Sequence, residues 1–553
     1  MTCKTNDRNT ERHSWCDMCE IVGVRHITTK RRPMLKRIPS HMYRHALSAL
    51  VGLLGWSLLC LSHIDHASAR PKSKKHSTRV SRAQLSKRGF GAQTTFDRKQ
   101  LTRKLNRILR SRKLRGARVG LIVTDRDGHP LYQKNAKKLY IPASNTKIFT
   151  IAAALHTLGP QYQYTTKIYG TRPIDKNGVL RGDLYIKGSG DPLLRSEELW
   201  RITRDLYNLG LRKITGRVKF DASVFDRKRF GKGWKDHNHE RYRPYLAATG
   251  GLSMNFNTIT ITIHPGKVGK KARITIDPPS RYVRKVINLT KTVTSVGRIK
   301  AKIRMRGFRN REHIIIRGNI PSSAAPRSYW RRVSHPGWYT AFNLVYFLRQ
   351  QRIRVNRWPR RSRVPGNAVE LHRYVSPLLT TSLQYAGKYS SNFVTEQVLK
   401  TMGAEKYNAP GTWKKGLRVV QTFLKKHGIM PKEYTMQNGS GLGRGNRFSP
   451  LQIATLLKGM LADLSTRPDF LTVLPVAGKD GTLRNRMLSI KSTLRAKTGT
   501  IDGVSSLSGY VQTRDKRMLI FSICMNGKLR QVKLFRRLQN KIGAVLAAYP
   551  WKK

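Results

Sequence analysis

The chain has 553 residues, with 109 lysines and arginines against 29 aspartates and glutamates, a formal net charge of +80. That length excludes a single compact domain, and a hydrophobic share of 39% excludes a chain too polar to build packed cores. The charge bears on partners rather than on fold: nucleic acid, anionic lipid headgroups and acidic wall polymers would all be attracted, and composition does not choose among them.

The N-terminus narrows the choice. Lys30, Arg31, Arg32, Lys36, Arg37 and Arg44 form a positive approach to an apolar run from Ala46 to Leu61, the pattern of a secretory signal. Ala67-Ser68-Ala69 supplies the small-x-small sequence that a signal peptidase cuts, and His63, Asp65 and His66 end the run early for a membrane anchor. The expectation is a signal peptide over residues 1–69, with translation starting at Met1, Met34 or Met42, and an exported protein of the periplasm or cell envelope. Removing that segment takes away ten basic and five acidic side chains, so the mature charge is still +75. Cys3, Cys16, Cys19 and Cys60 precede the cut and Cys524 alone follows it, so no internal disulfide is expected. Cys16-x-x-Cys19 is half a zinc site without a second pair; no metal and no cofactor are expected. An exported protein meets little nucleic acid, which is set aside as a partner.

Residues 70–95 are polar, basic and aperiodic, a flexible linker. Leu101, Leu105, Ile108 and Leu109 then share one helical face. Val119, Leu121 and Val123 alternate before an Asp127-Gly128 turn, and Leu131-Tyr132 begins the return strand of a hairpin. The segment from Pro142 to Leu158 has small polar residues at its start, an apolar body and Gly159-Pro160 as its stop, which reads as a buried helix. From Thr165 to about Asn367 short alternating runs take over, at 183–187, 258–263, 273–277 and 313–317. Helical patterns return from Ser376, and two strands (Leu507–Thr513, Met518–Met525) and an amphipathic helix (Gln531–Ala548) finish the chain. The expected organisation is an α/β (α+β) domain in two halves, 96–165 and 368–553, split by a β-rich insert over 166–367 that holds two subdomains.

Three short motifs carry chemistry. Ser144-Asn145-Thr146-Lys147 places a hydroxyl and an amine three residues apart, on one helical face. A helix start favours developing negative charge, and a lysine among apolar neighbours and other cations loses proton affinity and acts as a base. Ser390-Ser391-Asn392 offers a second hydroxyl for proton relay and a carboxamide for a peptide amide. Lys497-Thr498-Gly499-Thr500, ahead of a strand-like stretch, suits an edge strand that holds a terminal carboxylate, with glycine leaving room for a substrate backbone alongside. Each alone is weak; together, in this order and in these contexts, they are specific.

With these motifs the chain resembles the penicillin-recognising serine acyl-enzymes, whose Ser-x-x-Lys, Ser-x-Asn and Lys-Thr-Gly elements line one cleft. The 246 residues from Ser144 to Ser390 are far more than a class A β-lactamase places there. They resemble the insert of the D-alanyl-D-alanine carboxypeptidase/endopeptidases, the class C low-molecular-mass penicillin-binding proteins. Gly182–Pro192, Gly439–Arg444 and Ala477–Leu483 are also similar to that family. The resemblance implies attack by Ser144 on the bond between two D-alanines, with Lys147 taking its proton and Ser390 relaying it to the leaving amine, tuned by Lys497. It implies further that Asn392 binds the substrate amide, Thr498 and Thr500 hold the departing carboxylate, and the N–H groups of Ser144 and Thr500 form the oxyanion hole. Peptidoglycan peptides are the implied substrates and β-lactams the implied covalent inhibitors. Asp236, in a part of the insert that overhangs the family's cleft, is a candidate substrate contact.

Two departures stand out: Asn438 and Gly443 replace the family's usual aspartate and serine, and Ser391 its usual aspartate, all outside the catalytic positions. The rival readings are a β-lactamase-like hydrolase, which lacks a Glu-x-x-x-Asn element here, and a non-catalytic protein that binds wall polymer or another polyanion. The +75 charge points to an anionic wall polymer or membrane surface. His237-Asn-His239-Glu240 reads as a solvated loop rather than a metal site, and the glycines at 439, 441, 443 and 445 as a turn.

Overall fold

The computed structural model describes residues 97–234 and 242–550. The expected signal peptide and linker, Asp236, and the His237–Glu240 group lie outside the described residues. Helices among the described residues are α1 (Arg98–Leu109), α2 (Thr146–Leu158), α3 (Ser196–Asn208), α4 (Pro336–Gln350), α5 (Leu379–Gly387), α6 (Asn392–Tyr407), α7 (Trp413–Lys426), α8 (Pro450–Ala462), α9 (Arg467–Val473) and α10 (Val532–Ala547).

Alternating apolar residues build one antiparallel sheet from the two ends of the described chain. Its strands run in the order Leu494–Ile501, Val504–Gln512, Met518–Asn526, Arg118–Thr124, Pro130–Lys134. Arg118 pairs with Asn526 and Thr124 with Ile520, so the expected N-terminal hairpin is zipped onto the C-terminal strands. The inner strands are buried on both faces because helices cover both sides, as a sheet with two apolar faces requires. α1 and α10 pack together on one side. On the other, Ile122, Ile520 and Cys524 meet α2 and α8, and the Tyr510 hydroxyl donates to the Leu457 carbonyl at 2.7 Å. The strand Leu494–Ile501 is left at the edge.

α2 is apolar all round and sits inside, touching α5 through α9, with every residue from Thr146 to Leu155 buried. α6 is buried from Asn392 to Ala404. α7 crosses it backbone to backbone: a Cβ on Gly416 would stand 2.1 Å from the Leu399 carbonyl oxygen, and one on Gly403 2.7 Å from the Gly416 nitrogen.

The insert carries a five-stranded sheet (Arg360–Arg361, Val218–Asp221, Leu184–Lys187, Thr165–Gly170, Val369–Val375) and three smaller three-stranded ones. Among the described residues a large hydrophobic cluster runs through it from Ile168 to Val355. The strand Val369–Val375, grouped by the sequence reading with the second catalytic half, pairs with Thr165–Gly170 of the insert's sheet. The β-rich stretch also holds two helices that the alternating runs did not announce. α3 buries Leu199, Ile202, Thr203 and Leu206 on one face, and α4 is apolar on nearly every side. The insert is tied to α6 by Gln397, whose Nε2 donates to the carbonyls of Gly190 and Gly250 at 3.1 and 3.0 Å, and by Lys400, which donates to Asp226 at 2.7 Å. No helix of the described residues is long and apolar enough to cross a membrane.

The α6–α7 crossing gives a test of this packing. Gly416→Val forces a side chain against the Leu399 carbonyl, and the expected loss is about 1–3 kcal/mol, read as an earlier midpoint in urea unfolding.

Candidate active site

Ser144 stands in one 3-10 turn, Ala143–Asn145, that runs straight into α2. The sheet holds that turn at several points. The Asn526 carboxamide accepts from the Ile141 N–H at 2.8 Å and donates to its carbonyl at 3.1 Å. Ser506 donates to the Pro142 carbonyl at 2.6 Å, and Asn145 donates to Ser508 Oγ at 2.8 Å. Ala143 has φ +46°, a conformation that alanine adopts only under constraint. The serine is therefore presented at a helix N-terminus by a turn that the sheet fixes.

Lys147 lies one turn on, fully buried. Its Nζ is 2.9 Å from Ser144 Oγ, 2.7 Å from Asn392 Oδ1 and 2.7 Å from the Ser440 carbonyl oxygen. Burial, and then the charge of Lys497, hold its pKa well below the usual lysine value, while Glu396 opposes the shift. A neutral amine has two N–H donors and one lone pair. The Asn392 and Ser440 oxygens can only accept, so they take the two hydrogens and leave the lone pair for the Ser144 hydroxyl.

Ser390 sits in the turn between α5 and α6, at φ +59°. Lys497, on the edge strand, donates to Ser390 Oγ at 2.9 Å and to the Thr498 carbonyl at 3.0 Å. Burial pushes this second amine down to about 7. Asn392 opens α6, with Ser391 as the cap that accepts from the Val394 N–H at 3.3 Å. Its Oδ1 faces Lys147 and its Nδ2 donates to the Tyr245 carbonyl at 3.0 Å, which leaves one amide hydrogen for a substrate.

Along the edge strand, Ala477 N–H donates to the Leu494 carbonyl and Ala496 N–H to the Pro475 carbonyl. Backbone groups alternate sides along a strand, so Thr498 and Thr500 present theirs on that same outer edge, beyond the last of these bonds. Thr500 is exposed. Gly499 has a reason other than the one its motif suggested: a Cβ there would come within 2.6 Å of the Pro142 oxygen and 3.1 Å of the Asn145 nitrogen. The space it leaves is filled by the turn that carries Ser144, not by a substrate.

Three further groups shape the cleft. Glu396, one turn along α6 from Asn392 and fully buried, accepts from the N–H groups of Gly439 at 3.2 Å and Ser440 at 2.8 Å. Its other partner is Trp413 Nε1 at 2.9 Å. It thereby aims the Ser440 carbonyl at Lys147. The glycine-rich turn explains itself here: a Cβ on Gly441, at φ +76°, would stand 1.9 Å from the Ala143 oxygen. Thr482, in the Ala477–Leu483 loop, accepts from Thr498 Oγ1 at 2.7 Å. Glu396 had a signal, a carboxylate at i+4 from Asn392 and so on the same helical face. The Ser440 contact runs through a carbonyl that every residue has, so no residue type announced it. Among the described residues no group of three or more His, Cys, Asp or Glu side chains is placed to hold a metal ion.

Comparison with known proteins fits this geometry. A family model described as the D-Ala-D-Ala carboxypeptidase 3 (S13) family matches residues 101–548. A D-alanyl-D-alanine carboxypeptidase of Actinomadura sp. (strain R39) is 29% identical over 465 residues, covering 81% of this chain and 85% of the relative. The D-alanyl-D-alanine carboxypeptidase DacB of Haemophilus influenzae is 25% identical over 420 residues, covering 74% and 86%. The crystal structure of penicillin binding protein 4 (dacB) from Haemophilus influenzae superposes with a TM-score of 0.68 at 22% identity, covering 82% of this chain and all of that one. That likeness supports the mixed α/β fold.

The buried amines have a consequence for stability. An unfolded Lys497 holds its proton to the model-peptide range near 10.4, whereas the folded one releases it at about 7. Between those values the unfolded chain binds the extra proton, so stability attributable to this group falls as pH drops from about 10 to 7. In Lys497→Met that contribution is gone. The expected result is a flatter rise of unfolding free energy with pH for the variant, measured by urea titration at both ends of the window.

Proposed function

The chain belongs to the D-Ala-D-Ala carboxypeptidase 3 (S13) family, and on that footing we propose that it is a serine-type D-Ala-D-Ala carboxypeptidase acting through an acyl-enzyme on Ser144. The supporting observation is the 2.9 Å contact between Ser144 Oγ and a buried Lys147 whose other two partners are obligate acceptors.

The reaction follows from that contact. Neutral Lys147 takes the hydroxyl proton as Ser144 Oγ bonds to the carbonyl carbon of the penultimate D-alanine. The N–H groups of Ser144 and Thr500 receive the oxyanion. Asn392 holds the substrate amide, and Thr498, Thr500 and Lys497 hold the terminal carboxylate. The C–N bond breaks as the proton passes through Ser390, beside Lys497, to the departing amine. Water, deprotonated by the same groups, then cleaves the ester and restores Ser144. Because a β-lactam presents a strained amide and a carboxylate in the same relation, it acylates Ser144 and stays. Peptidoglycan stem peptides are the proposed substrates, in an exported protein working in the cell envelope. The basic surface faces an anionic wall polymer or membrane.

Labelled penicillin tests this. A stable adduct in the wild type and none in Ser144→Ala is expected; no adduct at all overturns the enzyme reading in favour of an idle binding protein, and rapid turnover of the drug favours the β-lactamase alternative. Release of D-alanine, or of cut cross-links, from purified peptidoglycan measures the exopeptidic and endopeptidic activities.

A second expectation concerns Glu396. Its charge raises the proton affinity of Lys147, so Glu396→Gln leaves Lys147 neutral down to a lower pH. The acidic limb of the pH profile for penicillin acylation moves to lower pH, while the maximal rate falls through the loosened Ser440 carbonyl. An unmoved limb would show that Lys147 does not set it.

A further inference from the structure

The three-stranded sheet of the insert formed by Val283–Val293, Arg311–Pro321 and Lys302–Phe308 has one face in the core, through Ile303, Met305, Ile314 and Ile316. The other face is open, and the strand register writes rows across it. Lys285 stands beside His313 and Arg306; Ile287 beside Ile315 and Arg304; Leu289 beside Arg317 and Lys302. The five lysines and arginines in these rows are exposed, and Leu289 is 47% exposed.

Two features set this face apart from the general basicity of the chain. From Arg281 to Arg317 there are twelve lysines and arginines and a single carboxylate, Glu312. That carboxylate is buried and taken up by the Tyr282 hydroxyl and the Ser334 N–H. The open face therefore lacks the interspersed opposite charges usual on a protein surface. His313, stacked on Phe308 at 5.0 Å, has its pKa lowered by burial and then by Arg284, Lys285, Arg306 and Arg311, which shows the cations converging. The second feature is apolar: Ile287, Leu289 and Ile315 form a strip between the charges.

We propose that this open sheet face docks on a bilayer surface that displays anionic phospholipid headgroups. A soluble polyanion is held by charge and gains nothing from an apolar strip. At a bilayer both are used: the cationic heads meet phosphates while their stems and the strip lie at the headgroup boundary. Residues 70–95 of the same chain are themselves basic, so like charge excludes them as the cover. The inference deepens the reading of the basic surface as one that faces anions and is independent of the chemistry at Ser144.

The test uses the full chain and sedimentation with vesicles of phosphatidylcholine and phosphatidylglycerol in equal parts. Arg304→Ser, Arg306→Ser and Arg317→Ser combined are compared with a control of equal net charge, Lys99→Ser, Arg103→Ser and Arg107→Ser, on exposed positions of α1. The sheet variant is expected to bind on the order of a hundredfold more weakly at low salt, the control far less so. Ile287→Ser with Leu289→Ser, which changes no charge, is expected to weaken vesicle binding several-fold and to leave binding to soluble polyphosphate unaltered. Equal losses in sheet variant and control overturn the proposal. So does an apolar pair without effect, which would make the face a polymer site. The labelled-penicillin adduct, retained in every variant, reports intact folding.

Discussion

A buried lysine that meets two fixed acceptors and one ambivalent hydroxyl governs the cleft. The Lys147 side chain is out of contact with solvent, and its partners are two fixed oxygens and one hydroxyl that can either give or take. Burial makes the charged form costly, and Lys497 adds repulsion from the far side. The neutral amine is the form that this burial favours, and with it the Ser144 hydroxyl becomes the donor. Glu396 limits the shift, since it is also buried and its charge favours the protonated amine. The same carboxylate holds the turn that provides one of the two acceptors, so proton affinity and geometry are adjusted by one group.

That arrangement exists only when distant pieces of chain are packed. The turn before α2 carries Ser144 and Lys147, the α6 start carries Asn392, the glycine-rich turn carries Ser440, and the edge strand carries Lys497. The central sheet is what joins them: its strands come from both ends of the described chain, and Asn526, Ser506 and Ser508 reach from it to the Ser144 turn. Gly499 and Gly441 let the strand and the turn close on Pro142 and Ala143. A side chain at either glycine would collide with the turn that carries Ser144. The glycines are thus positioned for the approach of one backbone to another, and the insert, tied to α6 by Gln397 and Lys400, buttresses the helix that carries Asn392.

Much of this was legible in the residues. The helix of Leu101, Leu105 and Leu109, the hairpin after Val119, the apolar helix after Ser144 and the closing strands all follow from periodicity, because each buries a face whose pattern differs from that of its neighbours. The three motifs stood out by their order. What escaped had physical causes. α4 is apolar on almost every side, so it carries no helical stripe, and α3, which does carry one, lay among strand-like runs that set the reading of the whole insert. The Ser440 carbonyl belongs to the main chain and is invisible to residue type. At Gly499 the motif suggests room for a substrate, whereas the contact that requires glycine is with the protein itself. Val369–Val375 looked like the start of the second half because sequence position cannot show that a strand returns to pair with Thr165–Gly170.

The charge of the chain acquires a meaning from this contrast. Of 109 lysines and arginines, Lys147 and Lys497 are buried at the site with their pKa values pushed down by desolvation, whereas Lys285, Lys302, Arg304, Arg306 and Arg317 of the open sheet face stand exposed to solvent. Water and salt screen those outer charges beyond a Debye length of about 8 Å at physiological ionic strength, so they cannot reach the cleft to do what burial does there. The basic surface and the basic site are thus separate devices built from the same residue types. The first, on the proposed reading, acts at a distance on anions outside the molecule and responds to salt. The other acts over single hydrogen bonds in a closed space, and responds to pH.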